Sequence, residues 1–328
     1  MGVAKPNEIS GEGPMVVAQD TYQHVTHWRA YQRFYPAQLR VTAANAPTEQ
    51  WWRWRGTDVH LDRLAAPDAP AKLILLHGAG GYGRMLAPYA RLLTRTTPME
   101  VVAPDLIGYG LSRTGKRPVG YQEWIDCVAD LVVAEKARDG RPVFLLGASM
   151  GGMLAYSVAA LGNVAGLIVT CLLDPRDVAV RMRMTRLPIM GRTALPMLHH
   201  LRWLGRLHIP MRWVANMGAM SNDSALTALV ASDPAGGGNR VSLTFLRTFL
   251  SSAPPVEPEQ FTACPVLMAH PAADRWTPPE LSLPFFGRIT ARTQLVLLDE
   301  AGHLPIEEPG LSQMRQAIDG FVSQLLPR

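Results

Sequence analysis

Between Pro142 and Gly152 the chain reads PVFLLGASMGG, an apolar run that breaks into the pattern G-x-S-x-G at Gly147, Ala148, Ser149, Met150 and Gly151. The helical stretch MLAYSVAALG follows at once. A serine on a sharp strand-to-helix turn presents its hydroxyl above a sheet, and small neighbours let such a turn close. The chemistry open to that hydroxyl is attack on a carbonyl, provided that a histidine takes its proton and a carboxylate orients the histidine. The plainer reading is a small residue in a tight turn.

A second glycine cluster, LILLHGAGGYG (Leu73 to Gly83), literally fits the G-x-G-x-x-G pattern of dinucleotide-binding loops. A strand-like KLILL precedes it, a helix-like RMLAPYARLLTR follows, and Asp105 stands where an acid would meet a ribose. Glycines after a strand also serve any loop that needs positive φ or close backbone approach. The remainder of the chain decides between these uses.

Composition sets the bounds. The 328 residues, 48% hydrophobic, suffice for one large α/β domain with an insertion and a sizeable core. The first twenty residues lack the basic start and apolar centre of a signal peptide, and no run of about 18 apolar residues follows, so the expectation is a soluble, cytoplasmic protein. Cys127, Cys171 and Cys264 are too few and too scattered for a disulfide framework or a zinc site. From Arg176 to Thr262 there are ten Arg, no Lys and five acidic residues, within a chain of net charge +5. That excess marks either a solvated face or a surface for an anionic membrane or substrate; no nucleic-acid motif accompanies it.

From Lys72 onward the apolar runs KLILLH, EVVAPD, PVFLLG, GLIVTCLL, CPVLMAH and TQLVLLD alternate with helical patterns, which argues for a parallel, doubly wound sheet. Upstream, QLRVTAA and WWRWRGTDVHLDRL read as an antiparallel pair separated by NAPTEQ. Almost ninety residues separate GLIVTCLLD from CPVLMAH, against an ordinary strand-to-helix connection of about 2–6. This stretch, rich in Met, Leu, Arg and Trp and broken by prolines, reads as an inserted unit of short helices. The division is an N-terminal extension (1–37), a core (38–174 and 263–328) and a helical cap (175–262).

With Ser149 in place, Asp274 in VLMAHPAADRWTP and His303 in LVLLDEAGHLPIEEP fall in the order nucleophile, acid, histidine, and here the sequence resembles the α/β-hydrolase superfamily from about Gln38 onward. The resemblance implies an α/β-hydrolase fold with the insertion as a cap, and Ser149, Asp274 and His303 as a catalytic triad. Asp174 in LLDPRD is the alternative acid; the Asp-x-x-x-Pro form at Asp274 favours the latter. His77 and Gly78 resemble the His-Gly loop of such hydrolases, in which the N–H of Ala79 joins that of Met150 as an oxyanion hole, each donor worth about 3 kcal/mol. The glycines then let the backbone approach a carbonyl and do not cradle pyrophosphate. Asp105 resembles the first residue of a structural Asp-x-x-Gly-x-Gly-x-Ser loop, and Asp299 is read as structural. His24, His27, His60, His199, His200, His208 and His270 are read as surface or core residues.

The implied reaction is ester hydrolysis through an acyl-enzyme, with no metal or organic cofactor. A serine in place of an aspartate excludes the epoxide hydrolases and haloalkane dehalogenases of the same fold. The Met-rich cap suits a flexible acyl chain, and its arginines suit an anionic membrane. Together they favour monoacyl lipid esters, similar to the substrates of monoacylglycerol lipases and lysophospholipases. A carbon–carbon bond hydrolase, a cofactor-free haloperoxidase and a non-catalytic ligand-binding protein of this fold are the alternatives.

Overall fold

The computed structural model describes residues 20–95, 97–114 and 118–326; residues 1–19, most of the expected N-terminal extension, lie outside them. Its strands are β1 (Thr48–Trp54), β2 (Thr57–Leu64), β3 (Lys72–Leu76), β4 (Glu100–Pro104), β5 (Val143–Gly147), β6 (Gly166–Val169), β7 (His208–Pro210), β8 (Arg240–Ser242), β9 (Val266–Pro271) and β10 (Thr293–Leu298). All but β7 and β8, which pair with each other, form one sheet in the order β1-β2-β4-β3-β5-β6-β9-β10.

The six apolar runs become β3, β4, β5, β6, β9 and β10, mutually parallel. The first five of these are buried at every position. A strand covered on both faces has no polar side to alternate with, which is why these segments read as unbroken hydrophobic runs.

The antiparallel pair lies elsewhere than the sequence predicts. It falls within TEQWWRWRGTDVHLDRL (Thr48 to Leu64), the first three residues coming from the expected separator NAPTEQ, and β1 and β2 pair across a two-residue turn at Arg55 (φ 43°) and Gly56 (φ 84°). Two successive positive φ angles make the primed turn whose twist matches the flanking strands. QLRVTAA instead forms a 3-10 turn at Ala37–Leu39 and a bend in which Thr42 N donates to Asn45 Oδ1 (2.7 Å). Asparagine side chains compete for backbone donors in this way, and Pro36 supplies no ladder N–H at the start of the segment.

Helices α1 (His27–Tyr31), α2 (Ala87–Leu93), α3 (Tyr121–Asp139) and α4 (Met150–Ala159) precede the insertion. Within it lie α5 (Val178–Met184), α6 (Pro188–His200), α7 (Met211–Val214), α8 (Ser224–Ser232) and α9 (Leu243–Leu250); α10 (Leu283–Phe286) and α11 (Gly310–Leu325) follow. Side-chain caps start three of the inserted helices: Asp177 accepts from Ala179 N, Asp223 from Ala225 N and Leu226 N, and Ser242 from Phe245 N. Among the described residues no helix is long and apolar enough to cross a membrane. Cys127, Cys171 and Cys264 are buried and unpaired.

The N-terminal ends of β3 and β4 carry buried charge. Lys72 and Glu100 start these strands, and Glu135 on α3 is fully buried beside them. Arg63 donates to both Glu100 and Glu135, and Lys72 Nζ lies 3.1 Å from Glu135 Oε2. Burial alone would raise the Glu135 pKa, but the neighbouring Arg63 and Lys72 hold it below the usual carboxylate value. Removing one partner strands the others without water. Glu135→Leu is therefore expected to lower unfolding stability in urea by about 3–5 kcal/mol; a loss below about 1 kcal/mol would mean that the cations are solvated once released.

Candidate active site

Ser149 sits between the end of β5 and the start of α4 with φ 54° and ψ −126°, a conformation that non-glycine residues rarely adopt. The turn closes only because the residues two positions away on either side, Gly147 and Gly151, lack side chains. A Cβ on Gly147 would stand 2.1 Å from Gly151 O, and one on Gly151 would stand 2.5 Å from Leu76 O. Ser149 N donates to Thr170 Oγ1 (3.0 Å), just past β6.

The loops after β9 and β10 complete the group. His303 Nε2 lies 2.9 Å from Ser149 Oγ, and His303 Nδ1 lies 2.7 Å from Asp274 Oδ2. Asp274 is buried and accepts from Trp276 N (2.8 Å), Thr277 N (2.9 Å) and Thr277 Oγ1 (2.9 Å). Burial would raise its pKa, but the adjacent His303 and these donors keep the carboxyl ionised below its ordinary value. Asp174 stands away from this relay, its carboxylate held by Arg176 at 2.8 Å. Asp299 is tied to Gln313 on α11 (2.8 Å).

Thr170 and Thr277 were not singled out in the sequence. Thr277 Oγ1 touches both Asp274 Oδ2 and, at 3.1 Å, His303 Nδ1. The run Asp-x-x-Thr was a readable signal, since aspartate side chains commonly accept from backbone groups two and three residues on. Thr170 had no local signal, because its partner is set by the pairing of β5 with β6.

The glycine loop approaches Ser149 from β3. A Cβ on Gly78 would fall 2.7 Å from Ser149 Cβ, so only glycine permits the contact. His77 is buried and neutral: burial lowers its pKa to about 4, its Nδ1 donates to Gly78 O (2.9 Å), and its Nε2 accepts from Leu106 N (3.0 Å). Ala79 and Met150 both line the space beside Ser149. Met150 opens α4, where backbone N–H groups have no partner within the helix. Asp105 is not free to meet a ribose; it accepts from Gly83 N (2.7 Å), Leu111 N (2.8 Å) and Tyr22 OH (2.7 Å). His60 Nδ1 lies 3.2 Å from the same carboxylate. Burial disfavours a charged His60, but Asp105 and Glu49 outweigh it and raise its pKa to about 9.

The insertion also holds this loop. Buried Asp233, at the end of α8, accepts from Tyr82 OH (2.8 Å) and from Tyr31 OH (2.9 Å). Asp233 in turn organises the following AGGGN turn through Ala235 N, Gly236 N and Gly238 N. A side-chain carbon on Gly80 would meet Gly237 Cα at 3.0 Å.

Two apolar cavities meet at Ser149. One of about 140 Å³ runs beneath the insertion, between α6, α9 and the Trp276–Thr277 segment. The other, of about 60 Å³, runs under the glycine loop toward Met85, Tyr89 and Met314. Ala79 and Ser149 are the two residues common to both walls, and His303 borders the smaller. Among the described residues no cluster of three or more His, Cys, Asp or Glu could hold a metal ion.

A serine hydroxyl, an imidazole and an ionised carboxylate in series, with backbone amides alongside, can activate an oxygen nucleophile in a water-poor cleft. The sequence profile of the alpha/beta hydrolase family matches residues 73–311, and the chain belongs to that family. Mouse protein phosphatase methylesterase 1 is 30% identical over 103 residues, 31% of this chain and 27% of that relative, so the chain spans about a quarter of the length of the curated relatives it matches. Among solved structures, a soluble variant of monoglyceride lipase from Saccharomyces cerevisiae superposes with a TM-score of 0.72 at 18% identity, over 90% of this chain and 99% of that one. A monoacylglycerol lipase from Paleococcus ferrophilus gives 0.60 at 20% identity, over 81% and 98%. At such identities the likeness is one of fold.

Tyr82 reaches no reacting atom, yet its hydroxyl anchors the loop that carries Ala79. Tyr82→Phe is expected to lower kcat of any Ser149-dependent turnover by about 10- to 100-fold with KM changed less than about twofold, since small displacements of positioned groups cost that much. A rise in KM at constant kcat would assign Tyr82 to substrate binding instead.

Proposed function

We propose that the protein is a serine carboxylic ester hydrolase acting on esters of a single apolar acyl chain. The observation that carries this reading is the Ser149–His303–Asp274 relay opening directly into the apolar cavity under the insertion. In the proposed mechanism Ser149 Oγ attacks the ester carbonyl while its proton moves to His303 Nε2. Asp274 holds the imidazole with Nδ1 protonated and stabilises the imidazolium. The Ala79 and Met150 amides receive the negative charge that builds on the carbonyl oxygen. Collapse breaks the acyl–oxygen bond, the alcohol leaves with the proton from Nε2, and water repeats the sequence on the acyl-enzyme.

The residues that line the larger cavity carry no charge, and its wall includes Met184, Met190, Met197 and Met211, which suits a flexible hydrocarbon chain. A carbon–carbon hydrolase acting on an anionic diketone would need a cationic group there. Relatives in fold that are lipases agree with the acyl-chain reading but do not carry it.

The outer face of the cap supports a second part of the proposal, contact with a membrane bearing anionic headgroups. From Val178 to Asn222 the chain has seven arginines and no acidic residue. Leu187, Ile189, Trp203, Leu207 and Trp213 are more than half exposed on the same stretch. Met197 both lines the cavity and is half exposed, which puts an opening beside these residues. Apolar side chains among cations match the lipid interface.

Methyl esters from acetate to dodecanoate are expected to be hydrolysed with kcat/KM rising as the acyl chain fills the cavity, and Ser149→Ala is expected to lose at least about 10⁴-fold in kcat. Turnover that is independent of Ser149 would overturn the mechanism. In co-sedimentation, the protein is expected to pellet with vesicles containing phosphatidylglycerol and not with pure phosphatidylcholine, with Trp203→Ala weakening binding. Equal binding to both would remove the arginines from the argument.

A further inference from the structure

The two cavities that meet at Ser149 are not equivalent, and their difference assigns the two halves of the ester. This inference rests on the ester-hydrolase reading above and narrows its substrate. When the acyl–oxygen bond breaks, the electron pair stays on the alcohol oxygen, which must take the proton from His303 Nε2. The alcohol portion therefore leaves on the side of the site that His303 borders. His303, Leu304 and Pro305 line the smaller cavity, whereas the larger one is bounded near Ser149 by Met150, Leu173 and Trp276.

The smaller cavity is short and offers little to a polar head. Its volume is about 60 Å³, less than half of the ~150 Å³ that holds a benzene ring. Its apolar lining includes Leu75, Met85, Leu86, Leu146 and Met314. Apart from Ser149 and His303, the polar side chains along it make bonds within the protein. Tyr89 OH donates to Pro305 O (3.2 Å), Thr170 Oγ1 accepts from Ser149 N (3.0 Å), and both His77 nitrogens are bonded to backbone. Glycerol hydroxyls or a phosphate head placed there would be stripped of water without replacement partners.

We propose that the small arm receives the alcohol portion of the ester and the cap arm the acyl chain, so that the substrates are esters of an apolar acid with a short, apolar alcohol, methyl to propyl. This separates the enzyme from hydrolases of glyceryl esters even where the fold is shared. It also makes Met85 and Met314, which line the arm from the segment before α2 and from α11, the residues that set alcohol size.

The test compares isomers that exchange the two arms. Methyl nonanoate and octyl acetate have the same atoms and the same ester bond, but the long chain lies on opposite sides of it. Wild-type enzyme is expected to favour methyl nonanoate in kcat/KM over both octyl acetate and 1-monononanoylglycerol by about tenfold or more, the scale on which apolar pockets discriminate by size and unpaired hydroxyls. Octyl acetate turned over as fast as its isomer would overturn the arm assignment, and the glyceryl ester matching the methyl ester would overturn the exclusion of polar alcohols. If none of the three is hydrolysed in a Ser149-dependent manner, the ester-hydrolase reading itself fails, and the assignment with it. Met85→Ala gives a second measurement: the ratio of butyl to methyl nonanoate turnover is expected to rise about tenfold as the arm lengthens. An unchanged ratio in a variant with wild-type circular dichroism would also overturn the proposal.

Discussion

The parallel pairing of β3 with β5 is the constraint on which the site depends. Its register sets Leu76 opposite Gly147, so the chain leaves both strands at the same level and the glycine loop meets the serine turn within a few residues. The same register continues outward, with Gly147 opposite Val169 and Val169 opposite Met268. Ser149, Thr170, Asp274 and His303 all stand just beyond the carboxyl ends of neighbouring parallel strands, where open α/β sheets gather their functional groups. A slip of one residue would exchange the side chains packed on the two faces of a strand and move its carboxyl end by about 3.3 Å, separating the relay.

What the sequence made legible follows from how local each signal is. The central strands are apolar along their whole length, and the Gly147–Gly151 turn is marked by the glycines that its geometry requires. The candidate residues Ser149, Asp274 and His303 are each tied to a strand end and so could be located without coordinates. The hairpin was misplaced because Trp51, Trp52, Arg53 and Trp54 hide their alternation, while the turn rests on Arg55, a residue with no bias toward positive φ. The choice between Asp274 and Asp174 leaned on a resemblance and on the Asp-x-x-x-Pro form; in the fold it is Asp274 whose carboxylate lies 2.7 Å from His303 Nδ1.

Other features had no local mark. Asp233 is 202 residues from Tyr31 and 151 from Tyr82, and nothing in ASDPAGGGN announces hydrogen bonds to either. The two arms of the cavity are likewise products of packing: the lining of the smaller one draws on β3, α2, α11 and the loop after β10. The ten arginines between Arg176 and Thr262 looked uniform as a count, yet some are structural. Arg183 is spent on Trp276 O (3.0 Å), and Arg176 bridges Asp174 and Glu257. The arginines left facing outward are concentrated on the stretch that bears the exposed tryptophans.

The attachment at Asp233 makes the insertion mechanically lopsided. Raising its α8 end would uncouple Tyr82 and Tyr31, unseat the AGGGN turn from Gly80 and leave the Asp233 carboxylate with Ala235 N alone of its three donors, all in one displacement. The stretch from Leu187 to Trp213 is held instead by backbone bonds inside the insertion, β7 with β8 and Met211 N with Asn239 O, while Leu187, Ile189, Trp203, Leu207 and Trp213 face solvent. On the proposed reading an acyl chain would enter past this outer stretch, beside half-exposed Met197 and away from the Asp233 attachment. Entry there would leave the glycine loop and its Asp233 anchor undisturbed, so on that reading substrate loading and transition-state binding draw on different parts of the insertion.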